Sequence, residues 1–462
     1  MSRGMRDAEQ RMWPVVRAAH PVRLRSSVIE ARLPDVRIGE RCLIRESAGS
    51  PSIVGHAQVI GFSQDLATLA LLGASHGLSR AVVVEPTGEP AYIHVGSWLL
   101  GSVVDCEGRV CNSLIEPDES ATQSHAPSHG CEAGTGLPCV DLRDGDSGER
   151  REVEGQARRV EKRPVDVRLE TGVRVIDGVL AVGVGQRVAV LAPAGAGKTS
   201  LLQMIAAQAS ADVAIIALIG ERGREVSETV EHLRSTTAAR HSIVVKATSD
   251  APAVERVAAA ASAMTIAEYF RDQGRHVLLV VDSLTRYARA LREVALAAGE
   301  LPARHGYPAS VFERLPQLLE RPGNAGAGAI TAFFSVLVES DDEVDPIAQE
   351  VMSIVDGHFV LSARLAGEGR FPAIDLARSI SRVSARVGHE GDEARAMSVR
   401  GMLARAAELA LLVEMGEYRE GTNPDDDDAL AGATTLRQLF MQRFGDSTPM
   451  MHTRKAIDDA LR

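Results

Sequence analysis

One glycine-rich stretch of the sequence carries residue types that could bind a polyphosphate. The letters "LAPAGAGKTSLL" match the phosphate-loop spacing G-x-x-x-x-G-K-[ST], except that Ala192 stands at the first glycine position. Gly195 and Gly197 would let the backbone approach the phosphates closely. Lys198 would reach the β- and γ-phosphates, and Thr199 would hold Mg²⁺. An alanine at position 192 costs little if that residue needs no positive φ, and a purely structural turn is the alternative.

Two acidic residues further along the chain could complete a hydrolytic site around this loop. The run "HVLLVVDSLTR" predicts a buried strand that ends at Asp282, at the sheet edge where α/β proteins bind their ligands. A carboxylate at that position would orient Mg²⁺ through its water ligands. The run "VAIIALIGERGREV" puts Glu221 just beyond a neighbouring strand, where it could polarise an attacking water. On spacing alone, a surface ion-pair cluster around Glu221 is an equally open alternative.

The sequence around these residues predicts an α/β domain with a mainly parallel sheet. "QRVAVLA" before the loop is typical of a strand, and "GKTSLLQMIAAQAS" after it is typical of a helix. Over residues 165–385, short apolar runs alternate with helical stretches, which indicates a parallel sheet covered on both faces. A strand, a loop and a helix in this order direct backbone N–H groups toward a bound phosphate.

The other segments differ in character from this core. Residues 21–100 contain short β-rich runs separated by Gly, Pro and Asp, which predicts a small β-barrel. Residues 390–462 have apolar residues at helical spacing, and residues 116–160 are polar and predict a flexible loop. Residues 1–20 predict an arginine-rich amphipathic helix, either solvated or in contact with an acidic membrane surface or a neighbouring subunit.

Composition narrows the possible classes of protein. The 462-residue chain has a net charge of −11 and only 3% aromatic residues, which argues against a broad nucleic-acid-binding surface. Neither a transmembrane run nor a signal peptide is evident, so we expect a cytosolic protein. Its five cysteines do not suggest a disulfide framework. A zinc site built from Cys106, Cys111, Cys131 and Cys139 with nearby histidines is the weaker alternative to free thiols.

Several long motifs give the sequence a specific family resemblance. "ALIGERGREV", "DSLTRYARALREVALAAGELPARHGYPASVFERLPQLLER", "DPIAQEVMSIVDGHFVLSARLA" and "FPAIDLARSISR" resemble the ATPases of type III protein secretion. That group comprises the injectisome ATPases and their flagellar counterparts, and it is related to the catalytic β subunit of rotary ATP synthases. The resemblance covers roughly residues 25–115 and 165–440. It also accounts for Ala192, because an alanine at that position is usual in the export ATPases.

The resemblance implies roles for individual residues. Glu221 matches the carboxylate that activates water, and Arg222 matches an arginine near the γ-phosphate. Phe371, before Pro372, matches the aromatic residue against the adenine, and Arg382 matches an arginine finger that reaches the neighbouring subunit's nucleotide. The residues expected to bind ATP are Ala194, Gly195, Ala196, Gly197, Lys198, Thr199, Ser200, Phe371 and Pro372. Those expected to act in catalysis are Lys198, Glu221, Arg222 and Arg382, with Thr199 and Asp282 on Mg²⁺.

The implied fold has an N-terminal small β-barrel, a central RecA-like P-loop ATPase domain and a C-terminal helical domain. The predicted limits are 21–98 for the barrel, 99–385 for the ATPase domain and 386–462 for the helical domain, with the amphipathic segment 1–20 before them. The implied active form is a homohexamer at the cytoplasmic face of the inner membrane, with stalk and regulator proteins and chaperone–effector complexes as partners. The ending Thr199-Ser200 and the divergent C-terminal region favour an injectisome over a flagellum. A ring-shaped RNA translocase and a non-catalytic ATP-binding scaffold are the remote alternatives.

Overall fold

The computed structural model describes most of the chain as two compact units. The described residues are 18–25, 27–73, 75–115, 148–153, 161–338 and 345–462. One unit runs up to Ala91 and includes Glu293–Leu301, and the other comprises Tyr92–Arg292 and Pro302–Arg462. Nearly all of the predicted N-terminal helix and most of the 116–160 segment, with Cys131 and Cys139, lie outside the described residues. The predicted domain limits stay predictions.

The N-terminal unit is an antiparallel sheet of six strands, as predicted from its short β-rich runs. Its strands are β1 (Pro21–Leu24), β2 (Val28–Ala31), β3 (Glu40–Arg45), β4 (Ile53–Ser63), β5 (Leu66–Leu72) and β6 (Val83–Pro90). They are ordered β1-β2-β5-β4-β3-β6, and a bridge from Ala19 to Val84 joins the two outer ends into a small barrel. Ile29, Ile44 and Leu69 fill its interior and are fully buried. Closure of this kind leaves few unpaired strand edges.

The second unit contains a mainly parallel sheet and two separate two-stranded sheets. Its strands are β7 (Tyr92–Val95), β8 (Ser102–Val104), β9 (Val110–Ser113), β10 (Glu149–Glu152), β11 (Lys162–Arg163), β12 (Arg168–Leu169), β13 (Val182–Gly183), β14 (Arg187–Ala192), β15 (Val213–Glu221), β16 (Ser242–Thr248), β17 (His276–Asp282), β18 (Gly323–Ala325), β19 (Gly328–Leu337), β20 (Gly357–Val360) and β21 (Ile380–Ser381). The parallel part has the order β20-β14-β19-β17-β15-β16-β8. Every residue of β15 is buried, as expected for a strand covered on both faces.

Helices cover this sheet and continue beyond it. They are α1 (Lys198–Gln208), α2 (Gly223–Arg234), α3 (Ala253–Asp272), α4 (Leu284–Ala297), α5 (Ala309–Leu319), α6 (Pro346–Ile354), α7 (Ala363–Gly367), α8 (Ser384–Val387), α9 (Asp392–Glu414), α10 (Pro424–Phe440) and α11 (Met450–Ala460). The described residues therefore confirm the predicted order of a β-barrel, an α/β core and C-terminal helices. Among them, no helix combines the length and apolar character needed to cross a membrane.

The C-terminal helices pack onto the segment that leads into the phosphate loop. A short π-helical turn, Ile176–Leu180, contacts α9 and α11. At Gly178 the approach is so close that an added β carbon would lie 2.4 Å from Cδ1 of Ile457. α10 begins at Pro424, and the Asn423 side chain accepts from the Asp425 N–H at 3.2 Å.

Candidate functional site

The glycine-rich loop joins the carboxyl end of β14 to the amino end of α1. Ala192 is the buried last residue of β14 and has strand conformation, which explains why a glycine is not needed there. Gly195 and Gly197 have φ values of +79° and +81°, in the left-handed region. All residues of α1 are described. No acidic side chain lies in its first turn, and no side chain caps its N-terminus at Gly197. The amino end of α1 therefore offers N–H groups to an anion.

The predicted charged residues meet beside this loop. The Lys198 ammonium is hydrogen-bonded to Asp282 at the end of β17, and its Nζ lies 3.6 Å from Oε1 of Glu221 at the end of β15. All three side chains are largely buried, with exposed fractions of 11% for the lysine, 4% for Asp282 and 7% for Glu221. The carboxyl ends of neighbouring parallel strands meet at one sheet edge, which brings these residues together.

Electrostatics at Glu221 suit a proton acceptor. Burial raises the pKa of Glu221, and a hydrogen bond with Glu225 acts in the same direction. Lys198 and Arg286 oppose this shift and lower the pKa, because both stabilise the ionised carboxylate. A carboxylate with a raised pKa is a stronger base than an exposed glutamate, so Glu221 is suited to accepting a proton from water.

A β-bulge fixes the direction of the Glu221 side chain. β15 pairs with β16 in regular register until Ile219 lies opposite Ala247, and then Glu221 lies opposite Thr248. Gly220 is the extra residue, and its φ of +68° is one that glycine adopts without strain. A β carbon at this position would come to 3.0 Å from Cδ of Arg286, so the bulge also leaves room for that side chain.

Two further side chains belong to this cluster, although the sequence analysis did not select them. Arg286 Nε donates to Glu221 Oε1 at 3.1 Å, and Ser335 Oγ donates to Asp282 Oδ1 at 2.6 Å. Arg286 lies in the first turn of α4, four residues after Asp282, so its place in "DSLTR" could have indicated it. Ser335 is in β19, between β14 and β17, and only the strand order brings it to the site.

Phe371 lies next to the phosphate loop. A β carbon added to Gly197 would be 3.1 Å from both Cδ1 and Cε1 of the Phe371 ring. The residue is 42% exposed, and the Phe371–Pro372 peptide bond is cis. In the loop itself, Ala194 is exposed and Ala196 is buried, and Ser200 in the first turn of α1 is exposed. An aromatic face beside a phosphate loop is suited to stacking against the base of a nucleotide.

Two of the predicted arginines lie apart from the cluster. The Arg222 side chain is 76% exposed, and its Nη1 lies 3.8 Å from Oε1 of Glu225. Arg382 is exposed, and its Nη2 donates to the carbonyl of Met352 at 3.3 Å. Neither guanidinium contacts Lys198 in the described residues, and the predicted roles of both arginines stay predictions.

Strand register shows how far Arg382 lies from its own phosphate loop. Ser381 of β21 pairs with Gly357 of β20, which pairs with Val188 of β14. Val188 lies four residues before Ala192, where the loop begins, and four strand residues span about 13 Å. Arg382 therefore lies near the amino ends of the strands, whereas Lys198 lies beyond their carboxyl ends.

The donor atoms beside the loop also suit a hard divalent cation. Thr199 and Asp282 line the same narrow cleft, whose other walls are mostly apolar. Hydroxyl and carboxylate oxygens are the ligands that Mg²⁺ prefers in proteins. N–H groups at a helix start, a lysine, a hydroxyl and buried carboxylates are the kinds of group that hydrolysis of a nucleoside triphosphate requires.

Comparison with known proteins supports the same chemistry. The ATP synthase alpha/beta family, nucleotide-binding domain, matches residues 172–381, and the T3SS EscN ATPase C-terminal domain matches residues 390–459. The SPI-1 type 3 secretion system ATPase of Salmonella typhi is 44% identical over 429 residues, 92% of this chain and 93% of that protein. The flagellum-specific ATP synthase of Treponema pallidum is 40% identical over 430 residues, 93% of this chain and 90% of that protein.

Solved structures of this group resemble the chain over almost its whole length. The assembled ATPase EscN from the type III secretion system of enteropathogenic E. coli matches with a TM-score of 0.83 at 38% identity. The match covers 96% of this chain and 100% of that chain. From the phosphate loop, the buried carboxylates and these similarities, the chain is an ATPase that belongs to the family of type III secretion system ATPases.

Proposed function

We propose that the chain is the catalytic subunit of a homohexameric ring that hydrolyses ATP at interfaces between subunits. The observation that carries this proposal is the separation of Arg382 from the loop containing Lys198. Because the two lie toward opposite ends of the same strands, Arg382 would act on the nucleotide of a neighbouring subunit. An arginine supplied in this way contributes about 10³–10⁵ in rate in other nucleotide hydrolases. A subunit acting alone would therefore hydrolyse ATP poorly.

Within one subunit, the buried cluster would bind and orient the reacting groups. The N–H groups at the start of α1 would hold the phosphates, and Lys198 would move from Asp282 to the β- and γ-phosphates. Glu221 would accept a proton from the attacking water, and Arg286 would hold that carboxylate in place. Arg222 is proposed to approach the γ-phosphate, which requires its exposed side chain to turn toward the loop.

Separate groups would hold the adenine base of the nucleotide and the metal ion. The Phe371 ring, with Pro372 after it, would stack against the adenine. Thr199 and Asp282 would hold Mg²⁺, directly or through water. When bound, Mg²⁺ neutralises charge that develops on the phosphate oxygens.

We further propose that the ring serves protein export by an injectisome. The 44% identity to a type 3 secretion system ATPase, against 40% for a flagellar relative, favours this system. EscN has been solved in complex with its central stalk EscO, which supports a stalk protein as a partner here. The proposed location is the cytoplasmic face of the inner membrane. There ATP hydrolysis would release chaperones and unfold export substrates.

The proposal is tested by measuring ATPase activity against protein concentration. Wild type, Glu221→Ala and Arg382→Ala are compared, with Arg224→Ala as a matched control because that side chain is 88% exposed and pairs with Glu228. We expect specific activity to rise steeply with concentration in the wild type and the control, and to be lost in the other two variants. Mixing the two inactive variants should restore part of the activity, because some interfaces then combine an intact carboxylate with an intact arginine.

A different pattern would contradict shared sites. If specific activity does not depend on concentration and Arg382→Ala remains active, each site is complete within one chain. If mixing restores nothing although both variants assemble, Arg382 and Glu221 do not act across one interface. Analytical ultracentrifugation of the same samples establishes whether the variants still associate, so a loss of assembly is distinguished from a loss of chemistry.

A further inference from the structure

One loop of the C-terminal helical region contacts α1, α2 and the backbone of Phe371. This loop, residues 441–449, connects α10 to α11, and we call it the junction loop. The carbonyl of Asp446 accepts from Nε2 of Gln208 at the end of α1, at 3.0 Å. The ring of Phe444 lies 3.9 Å from that of His232 in α2, edge to face. The junction loop therefore contacts the helix that begins at Lys198, at its far end, and the helix that follows Glu221.

Gln442 is the buried centre of the junction loop, with only 4% of its surface exposed. Its Oε1 accepts from the N–H of Arg174 at 2.9 Å. Its Nε2 donates to the carbonyls of Gly172 at 2.7 Å and Asp446 at 2.6 Å. Both ends of the amide are thus bonded to backbone groups, and two of these belong to the segment that leads into the phosphate loop. A buried side chain with this many hydrogen-bond partners fixes the relative positions of the chain segments that it joins.

The backbone of Gln442 holds Phe371 directly. The Gln442 N–H donates to the Phe371 carbonyl at 2.9 Å. The Phe371 ring in turn lies against the loop at Gly197. Gln442 thus links the backbone of the aromatic residue to the lead-in segment at Gly172 and Arg174, and so fixes the ring relative to the phosphate loop.

We infer that Gln442 is a positioning residue for the base of the nucleotide: it sets the position of the Phe371 ring over the phosphate loop. This inference rests on the proposed adenine-stacking role of Phe371. The phosphates are bound by backbone N–H groups and Lys198, which Gln442 does not contact. Loss of its side-chain bonds would let the junction loop shift and carry the Phe371 backbone with it. Affinity for the adenosine part of a nucleotide would fall, and affinity for a bare polyphosphate would not.

The test compares inhibition of ATP hydrolysis by ADP with inhibition by inorganic tripolyphosphate, in the full chain. Gln442→Met keeps the length of the side chain but removes every hydrogen bond of the side-chain amide. Gln442→Glu keeps an acceptor for the Arg174 N–H. Gln438→Ala is the matched control, since that glutamine is exposed on α10. Phe371→Ala is the reference for a lost stacking contact.

We expect Gln442→Met to raise the inhibition constant of ADP about tenfold while that of tripolyphosphate changes less than about twofold. Gln442→Glu should have a smaller effect in the same direction, and Gln438→Ala should match the wild type. If Gln442→Met does not fold, the decisive quantity is the ratio of the ADP to the tripolyphosphate inhibition constant in Gln442→Glu.

Three results would overturn the inference. Equal weakening of both inhibitors in the Gln442 variants would mean that the residue only stabilises the fold. A changed ratio in Phe371→Ala with an unchanged ratio in the Gln442 variants would refute positioning and leave the adenine role of Phe371 intact. An unchanged ratio in Phe371→Ala would refute that adenine role, and the inference would fail with it.

Discussion

Replacing Arg286 by methionine is expected to move the acidic limb of the ATPase pH profile to higher pH. Arg286 Nε donates to Glu221 Oε1 at 3.1 Å, so the guanidinium favours the ionised form of the carboxylate. Its removal leaves burial, which favours the protonated form, opposed only by Lys198. The pKa of Glu221 therefore rises further. Since a protonated carboxyl cannot accept a proton from water, activity is lost at a higher pH than in the wild type.

The size of this shift follows from the geometry of the pair. A hydrogen bond between charged groups contributes about 1.5–3 kcal/mol. Arg286 is 27% exposed, and water screens it in part, so the lower end of that range applies. Each pKa unit corresponds to about 1.4 kcal/mol. We therefore expect the acidic limb to move by about one pH unit, and less in Arg286→Lys, which keeps the charge.

The assay is kcat/KM against pH, because this parameter reports groups of the free enzyme. Protein concentration is held where wild-type activity is maximal. Arg289→Met removes an exposed charge from the next turn of the same helix and should leave the limb unchanged. Glu221→Gln removes the titrating group, so its low residual activity should not show this acidic limb. A limb that stays in place in Arg286→Met, or that moves to lower pH, would refute the assigned interaction between Arg286 and Glu221.

Three further outcomes are expected. Gly220→Ala forces a positive φ on alanine and brings its β carbon to 3.0 Å from Cδ of Arg286, so kcat should fall about tenfold or more while circular dichroism stays unchanged. Asp356→Asn breaks the two-pronged pair in which Arg187 Nε and Nη2 each donate at 3.0 Å; this should cost about 2 kcal/mol, seen as a lower urea midpoint, and an unchanged midpoint would contradict it. Burial raises the pKa of Cys42 to about 12, so peptide mapping should find this thiol alkylated at pH 8 only after unfolding.

The order of the elements could be predicted from the sequence because its signals are local. Each strand of the core is a short apolar run, and each intervening helix is marked by its own periodicity. Lys198 and Asp282 could be selected for the same reason, since each follows a recognisable strand. Their proximity required only the rule that parallel strands end at one sheet edge.

The partners of these residues depend on information that is not local. Ser335 reaches Asp282 because β19 lies between β14 and β17, and strand order is not written in any single segment. Gln442 is more than 200 residues from the segment it joins, and a lone glutamine in a polar turn carries no signal. The direction in which Arg222 points depends on side-chain packing around α2, where its position one residue after Glu221 gives no guidance.

Because Gly220 is an extra residue in β15, the number of residues in this strand decides which side chain lies where the proton acceptor is needed. Successive side chains of a strand point to opposite faces, so a shift of one residue would exchange Glu221 with its neighbour Arg222. Conservative substitutions of apolar residues along β15 alter packing without changing which side chains point to each face. A one-residue deletion between Val213 and Gly220 that leaves the bulge in place would present the Arg222 guanidinium where a carboxylate is needed. The length of β15 therefore decides which charged side chain faces the phosphate loop more strictly than the identity of most of its residues does.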